Sequence, residues 1–314
     1  MLNSSYTNFA LKQIIDIQYM KLNNFLTGLG VALITPYKTD GQVDYEKLEE
    51  LTEFQISNGA NFLCVLGTTA ETPCLTQQEK RDIIQTVSRV NAGRTPLLLG
   101  AGSNCTSNVI SYIQQEVPKE IDAVLLVAPY YNKPSQEGLY MHYKTISENC
   151  PFPIVLYNVP GRTGVNIEAE TTLKIARNCS NVIAIKEASG NITQIENIIQ
   201  NAPEGFEVIS GDDAITFELL TLGAKGVISV VGNAYPREFS EMVHSALNGD
   251  LQRALEIHRK FTEIYPLLGI DGNPSGIKSL LSVQERINNI LRLPLVPARQ
   301  STQQALENFI NSFK

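Results

Sequence analysis

Asn181-Val-Ile-Ala-Ile-Lys-Glu-Ala-Ser-Gly190 is the stretch from which the fold is read. Val182, Ile183, Ala184 and Ile185 make a short, nearly continuous apolar run, the pattern of a strand buried on both faces of a parallel sheet. The run ends in Lys186, and the chain then turns through Ser189 and Gly190 into a helix opening near Asn191. A lysine at the carboxyl end of a buried parallel strand sits where α/β barrels and open α/β sheets place their chemistry. At an ordinary pKa of about 10.4, on the order of one lysine in a thousand is neutral near pH 7. Burial among apolar strands lowers that pKa, toward the ~7–8 that suits an amine nucleophile. The alternative is a lysine that snorkels to solvent or pairs with Glu187.

Working outward, the same unit recurs. Leu29-Gly-Val-Ala-Leu-Ile-Thr-Pro36 reads as a first strand closed by proline, and Asp44 caps the helix that follows it. Phe62–Leu66 is a second strand, and Thr76-x-x-Glu79 is a capping box opening the next helix. Further strands are read at 96–99, 123–127, 153–157, 206–210 and 226–230. With the lysine strand they make eight β-then-α units whose strands begin roughly 20–35 residues apart. That spacing predicts an α/β fold, a (β/α)8 TIM barrel, with an open doubly wound sheet as the alternative. From Pro236 onward the pattern is helical, through 251–268, 275–285 and 302–313. The expected organisation is a leader at 1–24 outside the core, a barrel over 25–248 and a C-terminal helical appendage over 249–314. The leader reads as an extra helix, or as an upstream start whose native equivalent is Met20, and Lys12 and Asp16 interrupt any secretory apolar core.

Composition narrows the function. The chain has 314 residues, 43% hydrophobic and 18% charged, with a net charge of −7 and no basic run. Nucleic acid and anionic membrane surfaces are therefore poor partners. No apolar run reaches membrane-spanning length. Cys64, Cys74, Cys105, Cys150 and Cys179 form an odd, scattered set without C-x-x-C, as expected of reduced cytoplasmic thiols. His142, His244 and His258 lack metal-ligand spacing. Gly28-x-Gly30 and Gly100-x-Gly102 lack the third glycine of a dinucleotide fingerprint.

Polar clusters follow the strands and so converge on one face. Thr68 and Thr69 offer hydroxyls and backbone N–H groups suited to a small carboxylate, though such a pair is often only a turn. Tyr157, ending strand five, stands beside Lys186; its phenol could move protons for an imine, or be an amphipathic barrel tyrosine. Arg162, in Pro-Gly-Arg-Thr-Gly, could hold a carboxylate bidentately, or be a surface cation.

The motifs G-T-T-A-E at 67–71, P-Y-Y-N-K-P-S-Q-E-G-L-Y at 129–140, Y-N-V-P-G-R-T-G at 157–164, I-K-E-A-S-G at 185–190 and S-G-D-D at 210–213 stand in order. Together they resemble the 4-hydroxy-tetrahydrodipicolinate (dihydrodipicolinate) synthase family of class I pyruvate-dependent aldolases, from about Leu29 to the L-R-L-P-L-x-P stretch at 291–297. Arg162 favours this family over N-acetylneuraminate lyase, which is similar around the lysine. Ala70 and Thr72 depart from the family's usual glycine and serine, which implies a local loop adjustment and unchanged chemistry.

The resemblance implies that Lys186 forms a Schiff base with pyruvate, whose enamine attacks L-aspartate 4-semialdehyde on the route to diaminopimelate and lysine. It implies Tyr157 as proton donor and acceptor, and Thr68 as its link to Tyr131, which a neighbouring subunit would supply. Thr69 and the backbone of Ile228 would hold pyruvate, and Arg162 the semialdehyde's carboxylate. It further implies a cytoplasmic homotetramer, a dimer of dimers, with no metal or organic cofactor. The alternatives are another pyruvate-dependent aldolase or lyase, and a catalytically silent barrel that only binds a keto acid. Feedback inhibition by lysine is expected to be weak or absent. Asn104 and Tyr130 match the effector region of lysine-sensitive relatives, but Lys80 replaces a usual histidine or glutamate and Asn108 a usual glutamate.

Overall fold

The computed structural model describes residues 25–313; the leader at 1–24 lies outside the described residues. Eight strands, β1 (Gly28–Ala32), β2 (Phe62–Val65), β3 (Leu97–Gly100), β4 (Ala123–Val127), β5 (Ile154–Asn158), β6 (Val182–Glu187), β7 (Glu207–Ser210) and β8 (Gly226–Ser229), pair in sequence order. Each is parallel to the next, and β8 pairs with β1 through Leu29↔Val227 and Gly30↔Ile228, so the sheet closes. The eight-stranded barrel is confirmed, and the open sheet is excluded.

Helices α1 (Tyr45–Ser57), α2 (Gln77–Asn91), α3 (Thr106–Glu116), α4 (Gln136–Ser147), α5 (Ala169–Asn178), α6 (Ile192–Asn201), α7 (Thr216–Leu222) and α8 (Pro236–Leu247) follow the strands in turn. Their starts are built from local chemistry. Asp44 accepts from Lys47 N, Asn191 from Gln194 N, and Thr76 and Glu79 exchange both bonds of the capping box. Four more helices close the chain: α9 (Leu251–Phe261), α10 (Ile264–Ile270), α11 (Ser275–Val283) and α12 (Gln300–Ser312).

Three apolar clusters hold these layers. One fills the barrel's lumen with Phe62, Cys64, Leu98, Leu125, Val155, Tyr157, Ala184, Ile209 and Ile228. Two others join the outer faces of the strands to the helices, and the larger continues into α9–α12 through Phe261, Leu280 and Phe309. Gly30 is required inside: a Cβ there would lie 2.2 Å from the Phe62 ring.

Two elements differ from the sequence expectation. The first strand ends at Ala32, not Pro36, because Asn233 takes over the backbone there. Its amide donates to Ala32 O (2.8 Å) and its Oδ1 accepts from Ile34 N (3.3 Å). The helix expected over 251–268 divides into α9 and α10, where the Thr262 hydroxyl bonds the Arg259 carbonyl at 2.9 Å. Among the described residues no helix is long and apolar enough to cross a membrane.

Candidate active site

One irregularity aims the lysine. Ile154 pairs with Val182 but Val155 pairs with Ala184, so β6 carries one extra residue at Ile183. Side chains on a strand alternate between faces, and one inserted residue reverses every face after it. Val182 and Ile185 therefore both pack outward, while Ala184 and Lys186 face the lumen. Lys186 is 7% exposed, at the carboxyl mouth of the barrel. Its ammonium sits 4.5 Å from the centre of the Tyr157 ring, whose residue is its register partner on β5.

Glu187 is not the partner of Lys186. It points the opposite way, fully buried, and accepts from Asn158 Nδ2 (2.9 Å), Gln194 Nε2 (2.8 Å) and Ser189 N (3.1 Å). Asn158 Oδ1 also accepts from Ile167 N at 2.9 Å. This network ties the ends of β5 and β6 to α6, and so fixes the strand ends that carry Tyr157 and Lys186. The sequence reading missed it, although Asn158 and Glu187 each follow a named residue and must face the other way.

Beside Lys186 opens a cavity of about 530 Å³, lined by Thr68, Thr69, Tyr157, Arg162, Asp213 and Asn273 among others. Gly211 makes room for the lysine: a Cβ there would stand 3.0 Å from Lys186 Cε and 2.8 Å from Ala188 Cβ. Thr69 is buried, and its hydroxyl accepts from Asn273 Nδ2 at 2.9 Å. Thr68 is exposed on the rim, at the start of the 3-10 turn Thr68–Ala70. Arg162 is also exposed, on a helical turn (Pro160–Thr163), and makes no ion pair among the described residues. Ile228 lies buried in the lumen on β8. Tyr131 stands apart, 84% exposed and outside the cavity, with a φ of 77° and its N–H donating to Thr163 O.

Ala70 fits without strain. The left-handed residues after β2 are Leu66, at φ 53°, and Glu71, at φ 55°, while the Ala70 carbonyl accepts from the Thr35 hydroxyl at 2.8 Å. Thr72 closes the loop onto Gly67 O at 2.9 Å. A second cleft of about 560 Å³ opens from the same rim, lined by Thr72, Gln77, Lys80, Asn108 and Tyr130 with Arg162 shared.

The electrostatics follow burial. The Cys64 thiol, in the lumen below, is pushed up to about 11 by desolvation, partly offset by the Lys186 charge, and so stays a thiol. Asp213 is raised to about 6 by burial, against the bonds it accepts from the chain after β8. Asn273 is not read from sequence, and Asp213 only as part of the S-G-D-D motif without a role; the Asp-Gly-Asn-Pro turn at 271–274 marks a break between helices, but not what it touches. Among the described residues no cluster of three His, Cys, Asp or Glu is placed to hold a metal ion.

A buried amine at the carboxyl mouth of a closed parallel barrel, beside a phenol, stands where barrel enzymes place their reactive groups. Residues 25–313 match the model of the Dihydrodipicolinate synthetase family, and the chain belongs to that family. The 4-hydroxy-tetrahydrodipicolinate synthase of Phocaeicola vulgatus is 59% identical over 290 residues, 92% of this chain and 97% of the relative. That of Parabacteroides distasonis is 59% identical over 285 residues, covering 91% and 96%. Among solved structures, the dihydrodipicolinate synthase of Thermotoga maritima superposes with a TM-score of 0.89 at 42% identity, covering 92% and 98%.

Proposed function

We propose that the chain is a 4-hydroxy-tetrahydrodipicolinate synthase, a lyase that condenses pyruvate with L-aspartate 4-semialdehyde in the diaminopimelate route to lysine. The observation that carries the residue assignments is Lys186, buried at the barrel's mouth against the Tyr157 ring. Lys186 Nζ adds to the ketone carbon of pyruvate, water leaves, and loss of a methyl proton gives the enamine. The enamine carbon attacks the aldehyde, whose oxygen takes up a proton. Tyr157 carries protons in these steps, Thr68 relays them, and Tyr131 of a second copy completes the relay. Thr69 and the Ile228 carbonyl hold pyruvate, and Arg162 takes the semialdehyde's carboxylate. The working form is a cytoplasmic homotetramer, and the sharing of Tyr131 between subunits is supported by its side chain, 84% exposed and outside its own cavity.

Pyruvate with borohydride tests the reading. The expected outcome is one reduced pyruvyl group, on Lys186, in the intact mass, and none on Lys186→Ala. An unchanged wild-type mass would remove the Schiff base and leave a silent keto-acid-binding barrel. Cleavage of N-acetylneuraminate without use of the semialdehyde would point to the other lyase.

Lysine inhibition is weak in this reading. A dihydrodipicolinate synthase from Cyanidioschyzon merolae, 36% identical with a TM-score of 0.88, was solved with lysine bound. Here Lys80 brings a like charge to the second cleft, and Asn108 brings no carboxylate. Each change costs roughly 1–2 kcal/mol in a partly buried site, so together affinity falls about 30- to 800-fold. Initial rates at saturating pyruvate should hold at sub-millimolar L-lysine; strong inhibition there would refute the assignment.

A further inference from the structure

Two residues that line the cavity beside Lys186 each bury a side-chain oxygen that has no partner among the described residues, Asp213 Oδ1 and Asn273 Oδ1. The Asp213 carboxylate is held in a fixed pose. Its Oδ2 accepts from Val230 N (2.9 Å) and Val231 N (2.8 Å), just after β8, which leaves Oδ1 as the free oxygen. The Ser229 hydroxyl stands near enough to favour the charged form, but makes no bond of normal geometry to Oδ1. Asn273 is oriented by its donation to Thr69 Oγ1, so its own oxygen is also unsatisfied. Asp213 follows by two residues Gly211, where an added Cβ would stand 3.0 Å from Lys186 Cε. Buried acceptors without a protein donor are rare and costly, and each takes its hydrogen bond from water, an ion or a ligand.

The substrate supplies such a donor. On the reading above, L-aspartate 4-semialdehyde enters as a zwitterion, and Arg162 and Lys186 serve its carboxylate and the bound pyruvate. Its ammonium needs acceptors, and the acidic side chains lining this cavity are Asp212, which is exposed, and Asp213. We propose that Asp213 is a catalytic residue of the ring-closing step: Oδ1 binds the substrate ammonium, with Asn273 Oδ1 as second acceptor, and removes one proton from it. This rests on the assigned synthase activity and extends it from carbon–carbon bond formation to product release.

The step balances. After the aldol addition, C2 is still joined to Lys186 as a protonated imine. The ammonium gives one proton to Asp213 and becomes an amine. That amine attacks C2 with its lone pair, a new C–N bond forms, and the bond from C2 to Lys186 nitrogen breaks. The two hydrogens left on the attacking nitrogen pass to the departing lysine, which leaves as an ammonium, and C2 becomes a ring imine. Asp213 then returns its proton to solvent. Burial, which raises this carboxyl to about 6, makes it a stronger base than an ordinary aspartate while leaving it ionised at neutral pH.

Asp213→Asn separates this role from a structural one. The asparagine oxygen retains both bonds to Val230 and Val231, and its NH2 replaces the free acceptor with a donor. Expected are normal pyruvate labelling of Lys186 by borohydride and a loss of at least 100-fold in kcat for L-aspartate 4-semialdehyde. A quench with both substrates should trap, on Lys186, a reduced adduct carrying pyruvate plus the semialdehyde. Affinity for 4-oxobutanoate, the same aldehyde acid without nitrogen, should be unchanged. Turnover within threefold of wild type would overturn the proposal, as would an equal loss toward pyruvate and 4-oxobutanoate. A measurement on wild type alone guards against a variant that misfolds. With pyruvate loaded, 4-oxobutanoate should bind at least tenfold more weakly than the amino substrate, and equal affinity would overturn the proposal. A wild type inert to the amino substrate but labelled by pyruvate would instead sink the assigned activity.

Discussion

Lys186 depends on three residues that do no chemistry. The inserted Ile183 sets which way it faces, Gly211 leaves room for its stem, and Glu187 anchors the strand end on the other side. Arg162 is held differently, exposed on a one-turn helix and without an ion pair among the described residues, so removing it should leave the barrel undisturbed. Arg162→Ala is expected to reduce kcat/KM for the semialdehyde by roughly 10–150-fold, the value of a charge-assisted bidentate contact of about 1.5–3 kcal/mol. Pyruvate labelling of Lys186 should continue at the wild-type rate. Steady-state kinetics beside the borohydride mass assay checks both halves; a parallel loss of labelling would place the guanidinium on pyruvate instead.

At the scale of elements, the loop after β2 is gripped from the far end of the chain. Glu71, buried in the left-handed conformation, pairs with the fully buried Lys278 of α11 and accepts from Arg292 N at 3.0 Å. Lys278 also donates to Ile290 O at 2.9 Å and packs 4.0 Å from the centre of the Tyr37 ring. Burial lowers its pKa to about 8 even against the attraction of Glu71. Arg292 forks onto Glu79, the capping-box residue of α2, through Nη1–Oε2 (2.8 Å) and Nη2–Oε1 (2.5 Å), and holds that carboxyl down at about 2. Removing one member of a buried pair strands the other charge. Lys278→Met should therefore lose about 3–5 kcal/mol of stability in urea unfolding. Glu71→Gln combined with Lys278→Met should recover part of that loss; a double variant as unstable as the single would show that the pair matters by shape and not by charge.

For the whole molecule, the consequential fact is an exposed aromatic side chain. Tyr131 is 84% exposed and turned away from its own cavity, next to a half-exposed Tyr130. If it serves a neighbouring copy, two inactive variants should rescue one another. Lys186→Ala mixed with Tyr131→Phe, after dissociation and reassembly, builds sites with the lysine of one subunit and the tyrosine of the other. Random dimers in equal amounts place one complete site in half of the pairs, so activity should return to about a quarter of wild type. No rescue, with mixed assemblies confirmed by native mass spectrometry, would put Tyr131 to work within its own subunit or remove it from the reaction. One solved relative, 41% identical with a TM-score of 0.90, is described as a monomeric dihydrodipicolinate synthase variant, which gives the experiment a reference point.

The barrel was legible in the sequence because its causes are local. Apolar runs at a regular spacing, each closed by a cap or a glycine turn, say where strands end, and a parallel sheet brings all those ends to one mouth. Lys186, Tyr157, Thr69 and Arg162 could be named for that reason. Which face each side chain takes was not legible, since the extra residue at Ile183 is visible only in the register between neighbouring strands. Contacts across long separations were also hidden. Asn273 reaches Thr69 over 204 residues, and Lys278 reaches Glu71 over 207. Their residue types look like an ordinary turn and an ordinary helix, and only folding reveals that they close the active-site loop. Asp213 shows the same division: the chain places a carboxylate after β7, and the fold alone decides that one of its oxygens is buried without a partner among the described residues.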